Sequence, residues 1–240
     1  MRILAIDTAL PAVSACVLDE EALQPIALET LPMARGHAEA IMPLIQRVVA
    51  QASGGFSSID RVAVTVGPGS FTGIRIGLAA AQGLALACKC DLVGVSTLSA
   101  LASPLILENS DGLIAAAVDA RHDHVFIAAF APDGRPVLSP RRIGAHEALR
   151  ARGSGPLRLV GSGAQALARE AQLRGIAIKS IEDTIAPNII FVARLGIAAN
   201  PALAPARPLY HKEPDVTLAR GTTMWAEKSP RPRFKGSPTR

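Results

Sequence analysis

The chain opens with three short apolar runs that are separated by turn residues. The runs cover residues 2–6, 12–18 and 26–30, and the intervening residues 7–11 and 19–21 are rich in Asp, Glu and Pro. Short apolar runs bounded by such residues are typical of β-strands joined by tight turns. The N-terminus is therefore predicted to form a three-stranded meander.

The next segment alternates between helix and strand patterns. Apolar residues at spacings of three and four predict a helix over 37–52, and an unbroken apolar run predicts a buried strand at 62–66. A helix at 72–90, a strand at 91–95 and a short helix at 97–103 follow. Strands that alternate with helices favour parallel pairing, because parallel strands need a crossover connection.

The same order recurs from residue 113 onwards, which predicts a duplicated fold. The repeat consists of strands at 113–118, 125–131, 136–143, 157–160 and 176–179, and of helices at 145–151, 164–173 and 187–199. Two βββαβα units predict an α/β protein with two lobes, each a mixed sheet covered by helices, and a cleft between them. We expect an N-terminal lobe over 1–104 and a C-terminal lobe over 105–210.

Composition supports a folded chain with an atypical C-terminal tail. Hydrophobic residues make up 49% of the sequence and charged residues 19%, which excludes a disordered chain as a whole. The formal net charge is +5, and residues 226–240 supply +4 of it, with five basic side chains and one acidic one. We expect the basic tail, 211–240, to be disordered and able to contact phosphates.

The lengths of the apolar runs and the spacing of the cysteines indicate the cellular compartment of the protein. The longest apolar runs fall far short of the ~20 residues that cross a bilayer, and the apolar run after Met1-Arg2 is too short for a signal peptide. The three cysteines form neither a disulfide framework nor a Cys-x-x-Cys zinc motif. We therefore predict a cytoplasmic protein without a transmembrane helix.

Two segments at strand ends are candidates for nucleotide binding. Asp7 and Thr8 end the first strand, where a carboxylate and a hydroxyl reach Mg²⁺ and phosphate in clefts of the actin and hexokinase type. Gly161 and Gly163 lie in a strand–turn–helix segment that faces the adenosine in that fold class. Asp119 is expected to occupy the position in the second lobe that matches Asp7.

The glycine-rich stretch from Gly67 to Gly77 is the most distinctive segment. It lacks the Lys-Ser/Thr of a Walker loop and the glycine spacing of a dinucleotide-binding loop, and Ser70 or Thr72 is expected to cap the following helix. Interior glycines destabilise a helix by about 1 kcal/mol each, so this cost must be offset. Its small residues permit close approach either of the chain's own sheet or of a helix from a second protein.

The histidines do not predict a metal site. His37 and Glu39 lie on a predicted helix, but position 41, where a second His would share the helix face, is Ile. No Gly-x-Ser-x-Gly elbow is present for a serine nucleophile. We predict neither a metal centre nor a catalytic residue.

Several motifs together resemble the TsaB family, also called YeaZ. The resemblance spans 1–210 and is densest in 1–121. It is carried by Ile3–Thr8, His37-x-Glu39, Met42–Ile45, Gly67–Gly77, Ala81–Ala85, Gly94–Leu98, Asp119–Arg121 and Arg207–Tyr210. It implies a two-lobed actin-like (ASKHA, ribonuclease H-like) fold.

The resemblance also implies a role in tRNA modification. Members of the family act with the paralogue TsaD and the ATPase TsaE in transferring threonylcarbamoyl to the adenosine adjacent to the anticodon of tRNA. TsaD holds the metal and performs the transfer, so this chain would be a non-catalytic partner without a cofactor of its own. Two alternatives remain: a tRNA-binding module that uses the basic tail, and an ATP-dependent kinase of the actin-like fold.

By the same resemblance, the predicted partner surface lies on the two helices of the first lobe. A second copy of the chain would compete with TsaD for this surface, giving a homodimer when the chain is alone. A bulky residue at Gly77 is expected to weaken the association while the chain stays folded. The predicted interface residues are Ile41, Met42, Ile45, Val49, Phe71, Gly73, Arg75, Gly77, Ala80 and Ala81.

Overall fold

A computed structural model describes residues 1–108, 111–151 and 155–209, which contain two five-stranded mixed sheets. The first sheet and its helices comprise β1 (Arg2–Asp7), β2 (Ala12–Asp19), β3 (Ala27–Pro32), α1 (His37–Val49), β4 (Arg61–Gly67), α2 (Phe71–Cys88), β5 (Asp91–Ser96) and α3 (Thr97–Leu107). The second sheet and its helices comprise β6 (Leu113–Asp119), β7 (His124–Phe130), β8 (Pro136–Gly144), α4 (Ala145–Ala151), β9 (Leu157–Val160), α5 (Ala164–Leu173) and β10 (Ile178–Glu182), and a last helix, α6 (Ile189–Ala198), follows.

The two sheets have the same topology. Their strand orders are β3-β2-β1-β4-β5 and β8-β7-β6-β9-β10. In each sheet the three meander strands pair antiparallel, and the two later strands pair parallel with the first strand or with each other. The predicted duplicated α/β fold is confirmed.

Alternating side chains divide the first sheet into two buried faces. Leu4 and Ile6 pack with helices α1 and α2, whereas Ile3 and Ala5 face helix α6. Burial on both faces explains why β1, β2 and β4 are almost continuously apolar instead of alternating with polar residues.

Helix α6 corrects the predicted extent of the second lobe. Residues up to 210 were expected to belong to that lobe, but Ile189, Val192 and Ala193 are buried against the first sheet. The segment that follows also returns there, since the amide of Leu209 donates to the carbonyl of Val66 at 2.9 Å. A long apolar helix buries its surface wherever a sheet face is open, and the sequence order does not fix which sheet that is.

The remaining elements differ little from those predicted. Helix α3 continues to Leu107 instead of ending at Ser103, because Leu105 adds to its buried side, so the predicted lobe boundary at 104 falls inside a helix. Strand β10 begins at Ile178 and not at Ile176. A short 3-10 helix at Gly55–Ser58 was not predicted. The predicted tail, 211–240, lies outside the described residues.

Candidate functional site

The glycine-rich stretch docks the start of α2 onto the end of β1. The amide of Ser70 donates to the carbonyl of Ala9 at 2.7 Å, and the Thr8 hydroxyl donates to the carbonyl of Gly73 at 2.7 Å. A Cβ at Gly69 would overlap the carbonyl of Ala9, and one at Gly73 would overlap that of Thr8. The approach therefore requires glycine. The predicted cap is confirmed, since the Ser70 hydroxyl accepts from the amide of Gly73 at 3.3 Å.

This docking decides between the two explanations of the small residues. Gly73, Gly77 and Ala81 are buried within the chain, and a Cβ at Gly77 would overlap the hydroxyl of Thr8. They serve the chain's own packing. Their burial within the chain contradicts the prediction that these three residues line a partner interface. The expectation that a bulky residue at Gly77 leaves the chain folded stays a prediction, and the overlap with Thr8 argues against it.

Three predicted interface residues of α1 are also buried. Ile41, Ile45 and Val49 are at most 2% exposed and pack in the core of the first sheet. Their spacing of four places them on one side of the helix, and this side faces the sheet. These residues cannot contact a partner in the folded chain, so that part of the prediction is corrected as well.

The exposed sides of α1 and α2 form a different surface. We call it the α1–α2 surface, and it consists of Met42, Phe71, Arg75, Ala79, Gly83 and Leu86. The α2 members recur at spacings of three and four, which makes one stripe along the helix, and α1 packs beside α2. Of the predicted interface residues, Met42, Phe71 and Arg75 lie on this surface, and Ala80 is half-buried beside it.

Two large apolar side chains are exposed on this stripe. Leu86 is 82% exposed and Phe71 is 47% exposed. The Arg75 guanidinium carbon lies 3.8 Å from the centre of the Phe71 ring, a cation–π contact that holds both side chains over the first turn of α2. Ala79, Gly83 and Leu86 were not among the predicted interface residues. Counting helical turns from Phe71 would have found them.

Helix α2 is also long and apolar enough to cross a membrane, judged by length and composition alone. It is the one helix among the described residues that meets this test, and 39% of its 18 residues are buried inside the protein. The test is weak evidence, because apolar core helices pass it too. The docking of α2 on β1 and β4 accounts for its buried side, and the α1–α2 surface accounts for the rest of its apolar character.

Asp7 belongs to a row of polar side chains on the α6 side of the first sheet. Strand pairing places Thr30 of β3 beside Ser14 of β2, and Ser14 beside Asp7 of β1. The row continues to Thr65 of β4, whose hydroxyl donates to Asp7 Oδ1 at 2.5 Å. We call these four residues the polar row. Asp7, Ser14 and Thr65 are at most 1% exposed.

The polar row is incompletely hydrogen-bonded. The Asp7 Oδ1 atom also accepts from the amide of Ala9 at 3.1 Å, but Asp7 Oδ2 and the Ser14 hydroxyl have no partner among the described residues. Burial raises the pKa of Asp7 to about 6, and the hydrogen bond from Thr65 opposes this shift. A buried carboxyl group is thus kept at a cost in stability.

Asp119 does not occupy the position that matches Asp7. It is exposed, its amide donates to the Ser162 hydroxyl at 3.1 Å, and its carboxylate accepts from the amide of Arg121 at 2.8 Å. The side chain that faces α3 at the end of β6, as Asp7 faces the α6 side at the end of β1, is Val118. A shift of one residue along a strand reverses the face, so matching the two aspartates by position was wrong.

The predicted nucleotide-binding residues are all engaged in packing. Asp7 and Thr8 are fully buried. Gly161 has a φ of 97°, and a Cβ there would overlap the carbonyl of Ala117, while Gly163 donates its amide to the same carbonyl at 3.0 Å. Nucleotide binding by these four residues stays a prediction.

The described residues offer no cluster of three His, Cys, Asp or Glu side chains that could hold a metal ion. His37 begins α1, and its Nε2 atom lies 3.2 Å from the carbonyl oxygen of Leu10, so the imidazole bridges the helix to the turn after β1. Ile41, at the position of the missing second His, is buried in the core.

The chain is similar in sequence to proteins named for the threonylcarbamoyl modification of tRNA. The family model that matches residues 31–136 is described as TsaD, tRNA N6-adenosine threonylcarbamoyltransferase. The chain is 38% identical over 133 residues to the tRNA threonylcarbamoyladenosine biosynthesis protein TsaB of Escherichia coli, covering 55% of this chain and 56% of that protein. It is 32% identical over 129 residues to the TsaB of Haemophilus influenzae, covering 52% of each chain. The aligned part spans about half the length of these curated relatives.

A solved structure extends the likeness over most of the chain. YeaZ from Pseudomonas aeruginosa superposes with a TM-score of 0.70 at 24% identity, covering 87% of this chain and 99% of that one. At this identity the match shows the fold, and it shows that both sheets are shared. Together, the sequence and structure matches confirm the resemblance to the TsaB, or YeaZ, family that the motifs predicted.

Proposed function

We propose that this chain acts in the biosynthesis of tRNA threonylcarbamoyladenosine as the non-catalytic partner of a TsaD-type transferase. The names of its relatives support the pathway. The α1–α2 surface supports the partner role, because it groups the exposed apolar side chains of Met42, Phe71 and Leu86 on two adjacent helices whose other sides are packed on the first sheet. Exposed apolar patches of this kind mark protein–protein contacts.

The composition of the α1–α2 surface suits a helix-to-helix contact. Phe71 and Arg75 are residue types that often anchor interfaces, and they are already held together by their cation–π contact. Ala79 has a small side chain, and a Cβ at Gly83 would meet open space, so a partner helix could approach closely along the middle of the stripe. Met42 adds a flexible apolar edge from α1.

The rest of the proposal concerns the assembly. The transferred group would go to the adenosine adjacent to the anticodon, ATP and metal would be bound by the TsaD and TsaE partners, and tRNA would be met through the complex. Two copies of this chain would pair through the same surface when no TsaD-type partner is present, as an isologous contact allows. We expect this assembly in the cytoplasm.

Replacing Leu86 with Glu tests the surface directly. Burying a leucine contributes about 1.5–3 kcal/mol, so we expect Leu86→Glu to weaken binding to the TsaD protein of the same organism about 10- to 100-fold. Binding is measured by titration calorimetry, with light scattering to follow the homodimer. Because Leu86 is exposed, its replacement should leave the fold of the chain intact.

Leu173 provides a matched control. It is 83% exposed at the last position of helix α5, outside the α1–α2 surface. Leu173→Glu introduces the same charge at the end of a helix and should leave TsaD binding unchanged. Equal binding by both variants and the natural chain would overturn the proposal, as would equal losses in both variants.

A further inference from the structure

A cavity of about 270 Å³ lies where the two sheets meet, and none of the residues discussed so far as interface or nucleotide candidates lines it. Its walls come from both halves of the molecule. Leu28 and Thr30 of β3 form one side, Leu101 of α3 forms the floor, and residues 182–189 form the other side. At about 30 Å³ per water, its volume equals that of about nine water molecules, which is room for a small organic molecule.

The polar side chains that line the cavity are one carboxylate, two hydroxyls that can donate or accept, and one amide, from Glu182, Thr30, Thr184 and Asn188. Glu182 contributes a half-buried carboxylate at the end of β10. The hydroxyl of Thr184 is buried and has no hydrogen-bond partner among the described residues, although Thr184 lines the cavity. Thr30, on the opposite wall, is the outermost member of the polar row. A buried hydroxyl without a partner is costly, so a ligand that supplied one would be favoured.

The same lining disfavours anions. None of the described residues that line the cavity is Lys, Arg or His. The start of helix α6 also borders the cavity, but two of its first amides are engaged: Ile190 donates to the Asn188 side chain at 3.1 Å and Phe191 donates to the Asn188 carbonyl at 3.0 Å. A phosphate or carboxylate would therefore meet the negative charge of Glu182 with neutral hydroxyl and amide donors only, and without a positive charge from the described lining residues to offset the repulsion.

The remaining walls are apolar. Leu28 and Ile185 are each about half-exposed at the rim, at 48% and 51%, and Leu101 is almost completely buried behind them. Exposed leucine and isoleucine side chains at a cavity rim provide apolar contact area for the body of a ligand. The site thus combines an apolar enclosure with acceptors and one negative charge.

We propose that this cavity binds a small cationic molecule with an apolar body, its ammonium or amidinium group directed to Glu182 and Thr184. This proposal is independent of the partner role of the α1–α2 surface. It concerns a ligand class opposite in charge to the nucleotide that the sequence motifs suggested. The site joins β3 of the first sheet to β10 of the second, so a bound ligand would also link the two halves.

Benzamidine and benzoate are matched probes for this proposal, because they share a ring and differ in charge. We would titrate each into the full isotope-labelled chain and follow the backbone amide resonances by NMR. Benzamidine should shift the amides of residues 182–186, 188 and 189 and of Leu101 in a saturable way, and benzoate should not. Saturable binding of benzoate at these residues, or benzamidine shifts confined to other regions, would overturn the proposal.

Two charge-removing variants separate the site from general surface attraction. Glu182→Gln keeps the shape of the side chain and should weaken benzamidine binding about tenfold, as expected for loss of a charge-assisted hydrogen bond. Asp183→Asn removes the same charge from the adjacent, exposed residue and should have little effect. Equal effects of the two substitutions would contradict a specific role for Glu182.

A third variant tests the enclosure without altering the charge. Thr30 is exposed on an edge strand, so Thr30→Trp can be accommodated while its ring occludes the cavity. Benzamidine binding should be lost, and the thermal unfolding midpoint without ligand should stay close to that of the natural chain. Unchanged benzamidine binding in a folded Thr30→Trp chain would exclude this cavity as the binding site.

Discussion

The two sheets share one topology but carry different chemistry at equivalent positions. In the first sheet, β1, β2 and β3 contribute Asp7, Ser14 and Thr30 to one cross-strand row. In the second sheet the same row is Val118, Phe126 and Arg142 on β6, β7 and β8. The second sheet folds without a buried carboxylate at this point. The fold therefore does not require the polar row.

The difference between the two rows shows which buried side chains lower the stability of the fold. A buried Asp with one oxygen unpartnered among the described residues, next to a buried Ser in the same condition, costs free energy that a Val–Phe pair does not. The row of the second sheet has its own unpartnered atom, the buried Nε of Arg142. The buried carboxyl group of Asp7, however, has no counterpart in that row.

Replacing the closely packed glycines that both halves share should change the free energy of unfolding the most. In each half, a glycine after the fourth strand lies against a backbone carbonyl: Gly73 against Thr8, and Gly161 against Ala117. Adding a Cβ at either glycine forces backbone to move, so we expect Gly73→Ala and Gly161→Ala each to lower the free energy of unfolding by about 3 kcal/mol or more. Urea unfolding of each variant measures this change.

Gly83 is the internal control for the glycine experiment. It lies in the same helix as Gly73, but a Cβ there meets nothing within 4 Å. Gly83→Ala should raise the free energy of unfolding by about 1 kcal/mol, since alanine is the better helix former. If Gly73→Ala were as benign as Gly83→Ala, the close approach of α2 to β1 would be refuted. A large effect in only one half would break the equivalence of the two repeats.

The polar row itself is tested by the pH dependence of stability. The pKa of Asp7 is raised by burial to about 6, above the ~3.9 of an unfolded chain, so its contribution to stability is fully present below about pH 4. It is lost as the pH rises through 6. The two pKa values imply a loss of about 3 kcal/mol between pH 4 and pH 8.

Asp7→Asn removes this titration. The natural chain and the variant should be similarly stable near pH 4, and the variant should be more stable by up to about 3 kcal/mol at pH 8. Asp119→Asn is the comparison from the other half: the exposed side chain should change stability by less than about 1 kcal/mol. Urea unfolding at several pH values measures both. A pH-independent difference between Asp7→Asn and the natural chain would show that Asp7 is not buried as described.

The sequence predicted most of the fold because the patterns that specify it are local. Short apolar runs and helical spacing located all ten strands and six α-helices of the described residues, and residue type limited the cap of α2 to Ser70 or Thr72. The destination of α6 was not predictable, since its apolar sides fit either sheet. Pairing Asp7 with Asp119 failed because the register of two distant strands decides which side chain faces the helices.

The candidate sites were predicted less completely for the same reason. The small residues of α2 were recognised as a close-approach stripe, but it is the folded structure that shows Thr8 lying against Gly73 and Gly77. A stripe of glycine and alanine permits the close approach of another backbone, but it does not identify which backbone that is. The exposed stripe beside it includes Gly83 and Leu86. Counting in steps of three and four residues from Phe71 would have distinguished these exposed positions from the buried side of α2.

The smallest expected effect comes from the middle of the polar row. The hydroxyl of Ser14 is buried without a partner among the described residues, so Ser14→Ala removes an unsatisfied group and should stabilise the chain by about 0.5 kcal/mol.

Thr65→Val is the nearly isosteric contrast: it removes the hydrogen bond to Asp7 and should cost about 1–3 kcal/mol. It should also raise the pKa of Asp7 further, since the Thr65 hydrogen bond lowers it. Urea unfolding at pH 5 and pH 8 separates these outcomes. If Ser14→Ala instead destabilised the chain as much as Thr65→Val, the Ser14 hydroxyl would have a partner, and the row would be a satisfied structural network.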